Sequence, residues 1–190
     1  GDYGDSGAAY SKVESLKIKI PSLETFESIN GYSQEEKSIS FGTDGGYKCA
    51  TVCSSRAWVA NVRKNDKLFN DRIYYTLPNR YTTFPDTFYL DIGINDGDSF
   101  TALHGLGNRI LAFKQKKLYV INVSSSSEAG WFLEGEYEGM GCISQEAVTK
   151  TPFGICWVNN SGVFAFNGQS APTELTAKLD DKIWYDGQVL

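Results

Sequence analysis

Few residues in this sequence have the types and spacing to do chemistry. His104 is the only histidine, and it stands beside Gly105-Leu106-Gly107. No G-x-S-x-G, no H-E-x-x-H and no cysteine–histidine arrangement accompanies it, so the nucleophile and base of a hydrolase are not supplied. His104 reads as a structural residue next to a turn. Gly105-Leu106-Gly107-Asn108-Arg109 lacks the third glycine and the following helix of a dinucleotide loop. The segment Asp91 to Asp98 invites a calcium reading, but its oxygens do not alternate ahead of Gly97 as a calcium loop requires. Asn95-Asp96-Gly97-Asp98 reads instead as a turn between strands. Glu134, Glu136 and Glu138 alternate and so share one face of a strand. Glycoside hydrolysis needs two carboxylates about 5–10 Å apart across a site, whereas a row of like charges on one face marks a solvated surface. Cys49, Cys53, Cys142 and Cys156 lack the CxxC spacing or histidine partners of a zinc site. Four cysteines allow three disulfide pairings; free, buried thiols are the expectation. The sequence thus assigns no catalytic residue, no cofactor and no metal, and predicts a protein that is not an enzyme.

The elements that position these residues follow from composition and period. The chain has 190 residues, 41% hydrophobic and 22% charged, a balance that specifies a folded core rather than disorder. Eleven Tyr, 11 Phe, 4 Trp and 19 Gly point to strands joined by tight turns. The net charge is −5, and neither half is basic: residues 1–95 carry 11 basic and 12 acidic side chains, residues 96–190 carry 7 and 11. That distribution argues against an electrostatic grip on nucleic acid. The basic run Lys114-Gln115-Lys116-Lys117 sits between two apolar strands and reads as a hairpin tip. No stretch reaches the roughly 20 apolar residues of a membrane helix, and the N-terminus lacks a signal-peptide pattern, so neither a membrane anchor nor secretion is expected. The triplets at Asn122 and Asn159 match a glycosylation acceptor, but such triplets arise often by chance.

Along the chain, residues 1–11 read as a flexible arm or loop end, and Leu16–Ile20 alternates strictly as a strand before Pro21. Residues 12–46 are expected to hold that strand of a preceding blade plus a long loop. A repeat then emerges. Ala50 precedes Trp58 by eight residues, Ala102 precedes Ile110 by eight, and Ala147 precedes Ile155 by eight, with offsets between copies of 52 and 45. Each copy continues as an apolar strand, a turn and an aromatic-rich strand; ILAF-KQKK-LYVI at 110–121 parallels ICWV-NNSG-VFAF at 155–166. Further strands are expected at 87–92, 131–137 and around Ile183-Trp184-Tyr185. About four strands in 45–52 residues is the signature of a propeller blade, whose sheet cannot bury both faces without stacked neighbours. The expectation is an all-β, propeller-like array of four-stranded antiparallel blades at 47–98, 99–143 and 144–190, the last continuing in a longer chain; a β-sandwich is the alternative.

Several stretches together resemble a known family: Arg72-Ile-Tyr-Tyr-Thr-Leu-Pro, Thr83-Phe-Pro, Asp96-Gly-Asp-Ser-Phe-Thr-Ala-Leu, Arg109-Ile-Leu-Ala-Phe-Lys, Gly141-Cys-Ile-Ser and Gly162-Val-Phe-Ala-Phe-Asn-Gly. Their order over residues 47–168 is similar to propeller domains of bacteriophage tail and head–tail connection proteins, including the nozzle proteins of short-tailed phages. The resemblance implies a structural virion component, assembled in the host cytoplasm, that forms a homo-oligomeric ring and contacts other tail proteins around the DNA conduit. It carries no catalytic residues. Tyr81, Phe84 and Trp131, aromatics of the turns, are the candidate interface residues, although core burial is the commoner role for any single aromatic. The rival reading is a propeller that binds or cleaves host surface glycans, with Glu136 and Asp98 as the acids to test.

Overall fold

The computed structural model describes residues 46–64 and 67–177; the expected arm, the strand at 16–20 and the strand near 183–185 lie outside them. The described chain forms three four-stranded antiparallel sheets, each a simple meander. The first contains β1 (Gly46–Cys53), β2 (Arg56–Lys64), β3 (Lys67–Tyr75) and β4 (Tyr89–Asp91). The second contains β5 (Phe100–Leu106), β6 (Arg109–Lys114), β7 (Lys117–Asn122) and β8 (Phe132–Glu138). The third contains β9 (Val148–Thr151), β10 (Gly154–Asn159), β11 (Gly162–Phe166) and β12 (Thr173–Glu174). No α-helix interrupts them, and among the described residues no helix is long and apolar enough to cross a membrane. The fold is an all-β, propeller-like array of blades.

Stacking explains why the middle strands are apolar at consecutive positions. One cluster joins Trp58, Ala60, Ile73 and Tyr75 of the first blade to Leu103, Ile110, Ala112 and Ile121 of the second. A second cluster joins Leu111, Phe113, Leu118 and Val120 of the second blade to Ile155, Trp157, Phe164 and Phe166 of the third. Since alternate residues point to opposite faces, β6 feeds one cluster with Ile110 and Ala112 and the other with Leu111 and Phe113. Ile110, Leu111 and Phe113, all fully buried, each contribute roughly 1.5–3 kcal/mol, and Ala112 less. The first strands also approach closely: the N–H of Gly105 donates to Thr51 Oγ1 at 3.1 Å, and a Cβ at Gly105 would stand 2.9 Å from the carbonyl oxygen of Val52.

The repeat differs by one residue from the sequence reading. The hairpin turns joining the first two strands of each blade are Ser54-Ser55, Gly107-Asn108 and Pro152-Phe153. From Ser54 to Gly107 is a step of 53 residues, and from Gly107 to Pro152 one of 45. Ile110 and Ile155 are therefore equivalent, but their counterpart in the first blade is Ala57, not Trp58. With a side-chain period of two, that slip moves Trp58 to the opposite face, so it packs towards the following blade while Ile110 and Ile155 pack towards the preceding one.

All four cysteines are free, three of them buried and Cys156 half-buried. The two acceptor-like asparagines are spent on structure. Asn159 donates to the carbonyls of Gly139 and Gly141 and accepts from the N–H groups of Ser161 and Gly162. Asn122 donates to Glu134 and accepts from the N–H of Ser124.

Candidate functional site

The densest polar constellation lies between the first two blades, at the end where β4 leads into β5. Lys114, the last residue of β6, falls on the same face as Ile110 and Ala112 and so points at the first blade. Its side chain has no exposed surface. The ammonium donates to Asp71 Oδ1 on β3 at 2.7 Å, to the Gly93 carbonyl at 2.8 Å, and to Asp96 at 2.9 and 2.8 Å. Phe100 and Tyr119 place their rings 5.2 and 5.8 Å from the nitrogen, and Tyr119 donates its hydroxyl to Asp96 Oδ2 at 3.2 Å. Burying a lone ammonium costs several kcal/mol; two carboxylates and a carbonyl offset that cost only when all are in place. Burial works against ionising Asp96, yet hydrogen bonds from Lys114, the Asp98 N–H and Tyr119 outweigh it and hold the carboxyl below its ordinary range. Tyr119 is pushed well above the usual phenol range, first by burial and then by the nearby Glu136 and Asp96 charges.

The segment that invited a calcium reading is thus a turn whose acid grips a lysine. Gly93, Asn95 and Gly97 have φ of 64°, 61° and 74°, the left-handed region that Gly and Asn tolerate. Asp98 accepts from the N–H groups of Ser99, Gln115 and Lys116. It fastens the β6–β7 turn, which is where the sequence placed a hairpin tip. Among the described residues no group of His, Cys, Asp and Glu is arranged to hold a metal.

At the opposite end of the same interface, Arg56 plays the matching part. It donates to the Thr76 carbonyl at 2.6 Å, pairs with Glu128 at 3.3 Å, and lies over Tyr75 and Trp131 at 5.5 and 5.2 Å. Tyr75 donates to Glu128 at 3.0 Å, and Trp131 packs on Trp58 and Tyr75 with ring centroids 5.2 and 4.9 Å away. The loop before β8 is thereby pinned onto the first blade.

The sequence-selected residues are not brought together. Trp131 is half-buried in this clasp, with its indole N–H on the Ser125 carbonyl at 2.9 Å. Phe84 is buried against Val59, Val62 and Tyr74 on the far face of the first blade. Tyr81 is 47% exposed in the β3–β4 loop. Glu134 pairs with Arg109 and Glu136 with Lys117, both at 2.7 Å. Arg109 holds the Glu134 carboxyl below its ordinary range against a smaller effect of burial. These two acids face cations of their own blade rather than each other across a cleft. His104 is half-buried on β5, 2.9 Å from Gln145 Nε2, and burial lowers its pKa. Sequence reasoning missed Lys114, Asp71 and Arg56. The available signal was position: Lys114 continues the alternation of Ile110 and Ala112, so it had to point inward.

No protein-family model matches the chain, and no curated protein matches it.

Proposed function

We propose that the chain is a structural component of a phage virion tail, a nozzle-like or tail-hub propeller domain that holds subunits and neighbouring tail proteins around the DNA conduit. One observation carries the reading. The densest polar groups are spent on fastening blade to blade, as Lys114, Asp71 and Asp96 do at one end and Arg56 and Glu128 at the other. Such clasps suit a part that bears load and stays put. The resemblance over residues 47–168 supplies the tail context, and the acidic balance suits a conduit that does not retain DNA. In this reading the domain works by contact, within a homo-oligomeric ring and with other tail proteins.

The test is to label purified particles of the source phage with an antibody to this chain and view them by electron microscopy. Gold at the tail supports the proposal. A chain absent from particles, which instead binds a glycan array and loses binding on Glu136→Gln or Asp98→Asn, overturns it in favour of sugar recognition.

A further inference from the structure

Leu103 is fully buried on β5, an edge strand of the second sheet. An edge leaves main-chain groups without a ladder partner, and here the Gln145 side chain supplies one. The Leu103 N–H donates to Gln145 Oε1 at 2.9 Å, and Gln145 Nε2 donates to the Leu103 carbonyl at 2.8 Å. These two bonds fix the amide: reversed, oxygen would face oxygen and N–H would face N–H. Gln145 Nε2 also stands 2.9 Å from His104 Nε2. The amide nitrogen can only donate, so the ring nitrogen accepts, and an accepting ring nitrogen carries no proton. The geometry therefore requires a neutral His104 with its proton on Nδ1.

We propose that His104 and Gln145 form an acid-released latch. While the ring is neutral it docks the 3-10 turn Gln145–Ala147, which leads into the third blade, onto β5; a second proton on the ring loosens it. An imidazolium presents N–H at both ring nitrogens, so Nε2 meets the amide donor to donor, and Gln145 cannot turn without giving up Leu103. Burial is the largest influence on the ring and opposes its charge; the Gln145 main-chain carbonyl favours the charge, and Lys150 on β9 opposes it. The net effect lies below the ordinary imidazole value. The latch is therefore closed above about pH 6.5 and is lost as pH falls through the lower folded value. Other charges on the surrounding elements are engaged elsewhere. Glu146 of the same turn is held by Ser144 and its own main chain, and Arg109 of β6 by Glu134. On β2, Arg56 and Lys64 pair with Glu128 and Asp86, and Arg63 is exposed. On β1, the charge of Lys48 acts on Cys49, Cys142 and Glu146, and burial keeps the Cys49 and Cys53 thiols protonated. β10 faces the second blade with Ile155 and Trp157. The inference goes beyond the tail assignment and does not depend on it.

Nuclear magnetic resonance on the 190-residue chain tests both halves of the argument. At about pH 7.5, nitrogen shifts of the His104 ring are expected to show the Nδ1–H tautomer, and the Leu103 amide should be protected from hydrogen exchange. At about pH 5, after correction for the intrinsic exchange rate, Leu103 protection should fall about fivefold, the weight of one ordinary hydrogen bond. His104→Gln is uncharged across this range, so its Leu103 protection should be the same at both pH values, with circular dichroism confirming the fold. An Nε2–H tautomer at neutral pH, or Leu103 protection that ignores pH in the wild type, overturns the proposal. A pH-dependent loss that persists in folded His104→Gln overturns it as well. The two wild-type readouts decide the matter even where the variant does not fold.

Discussion

The Nζ of Lys114 lies 2.7 Å from Oδ1 of Asp71 and 2.8 Å from Oδ2 of Asp96, so a side chain without exposed surface ties the second blade both to the first and to the segment joining them. The first two blades are clasped by ion pairs at both ends of their interface. The described contact between the second and third is held by apolar packing and by uncharged hydrogen bonds, such as Thr101 Oγ1 to the Cys142 carbonyl at 2.7 Å.

Removing one partner of this clasp should cost more than removing its centre. Asp96→Asn leaves the buried ammonium short of countercharge and is expected to destabilise the fold by about 3 kcal/mol. Lys114→Met keeps the volume and removes the buried charge, leaving two carboxylates that reach water, so its cost should be smaller. Urea denaturation of the two variants checks the order; an equal or larger loss in Lys114→Met contradicts it.

The same pair sets an acid limit. The folded-state pKa of Asp96 is depressed, so its contribution is fully present above the ordinary carboxylate range and is lost as pH falls through the folded value. The Asp96 contribution should be constant from about pH 7 to 5 and decline below about pH 4. Asp96→Asn should flatten that decline. Urea midpoints measured across the range provide the check, and an unchanged slope in the variant would assign the acid sensitivity elsewhere.

Three thiols should be inert in the native protein. Burial pushes Cys49 up to about 12 and Cys142 up to about 11, and it raises Cys53 as well. Since the thiolate is the nucleophile, none of the three should take up N-ethylmaleimide at pH 7.5 until denaturant is added. Peptide mapping by mass spectrometry reads this directly.

The two largest core tryptophans should respond differently to Phe. Trp58 donates its indole N–H to the Cys53 carbonyl at 3.0 Å, whereas the buried indole N–H of Trp157 has no partner. Trp58→Phe deletes that hydrogen bond, while Trp157→Phe removes an unsatisfied donor. Trp58→Phe should therefore cost about 1–2 kcal/mol more, as measured by thermal or chemical unfolding.

Glycine positions separate strain from crowding. Gly154 has φ 136°, and a Cβ there would strike the Phe166 carbonyl oxygen on the neighbouring strand; Gly97 has φ 74° with open space around it. Gly97→Ala should cost about 1–2 kcal/mol, the penalty of the left-handed conformation alone. Gly154→Ala should cost clearly more, because the β10–β11 pairing must open. Similar midpoints for the two variants would show that the strand pair yields without cost.

Much of the blade plan was legible from local pattern. The β6–β7 hairpin is fixed by two apolar runs around Lys114–Lys117, and the β4–β5 turn by Asn95-Asp96-Gly97, because period and turn chemistry act over a few residues. The sequence alone therefore determined the class of fold, the repeat near 45–52 residues and the four strands per unit. It did not determine which way a blade faces: one extra residue between the first two copies put Trp58 on the face opposite to Ile110, and a period of two gives no warning of such a slip. Only the tertiary structure decided that Lys114 is buried, since Asp71 meets it from 43 residues away. It likewise decided that Trp131 serves a clasp rather than a surface, since Arg56 and Tyr75 belong to another blade. Burial and charge pairing are properties of neighbours in space, and in a stacked array those neighbours are contributed by a different repeat.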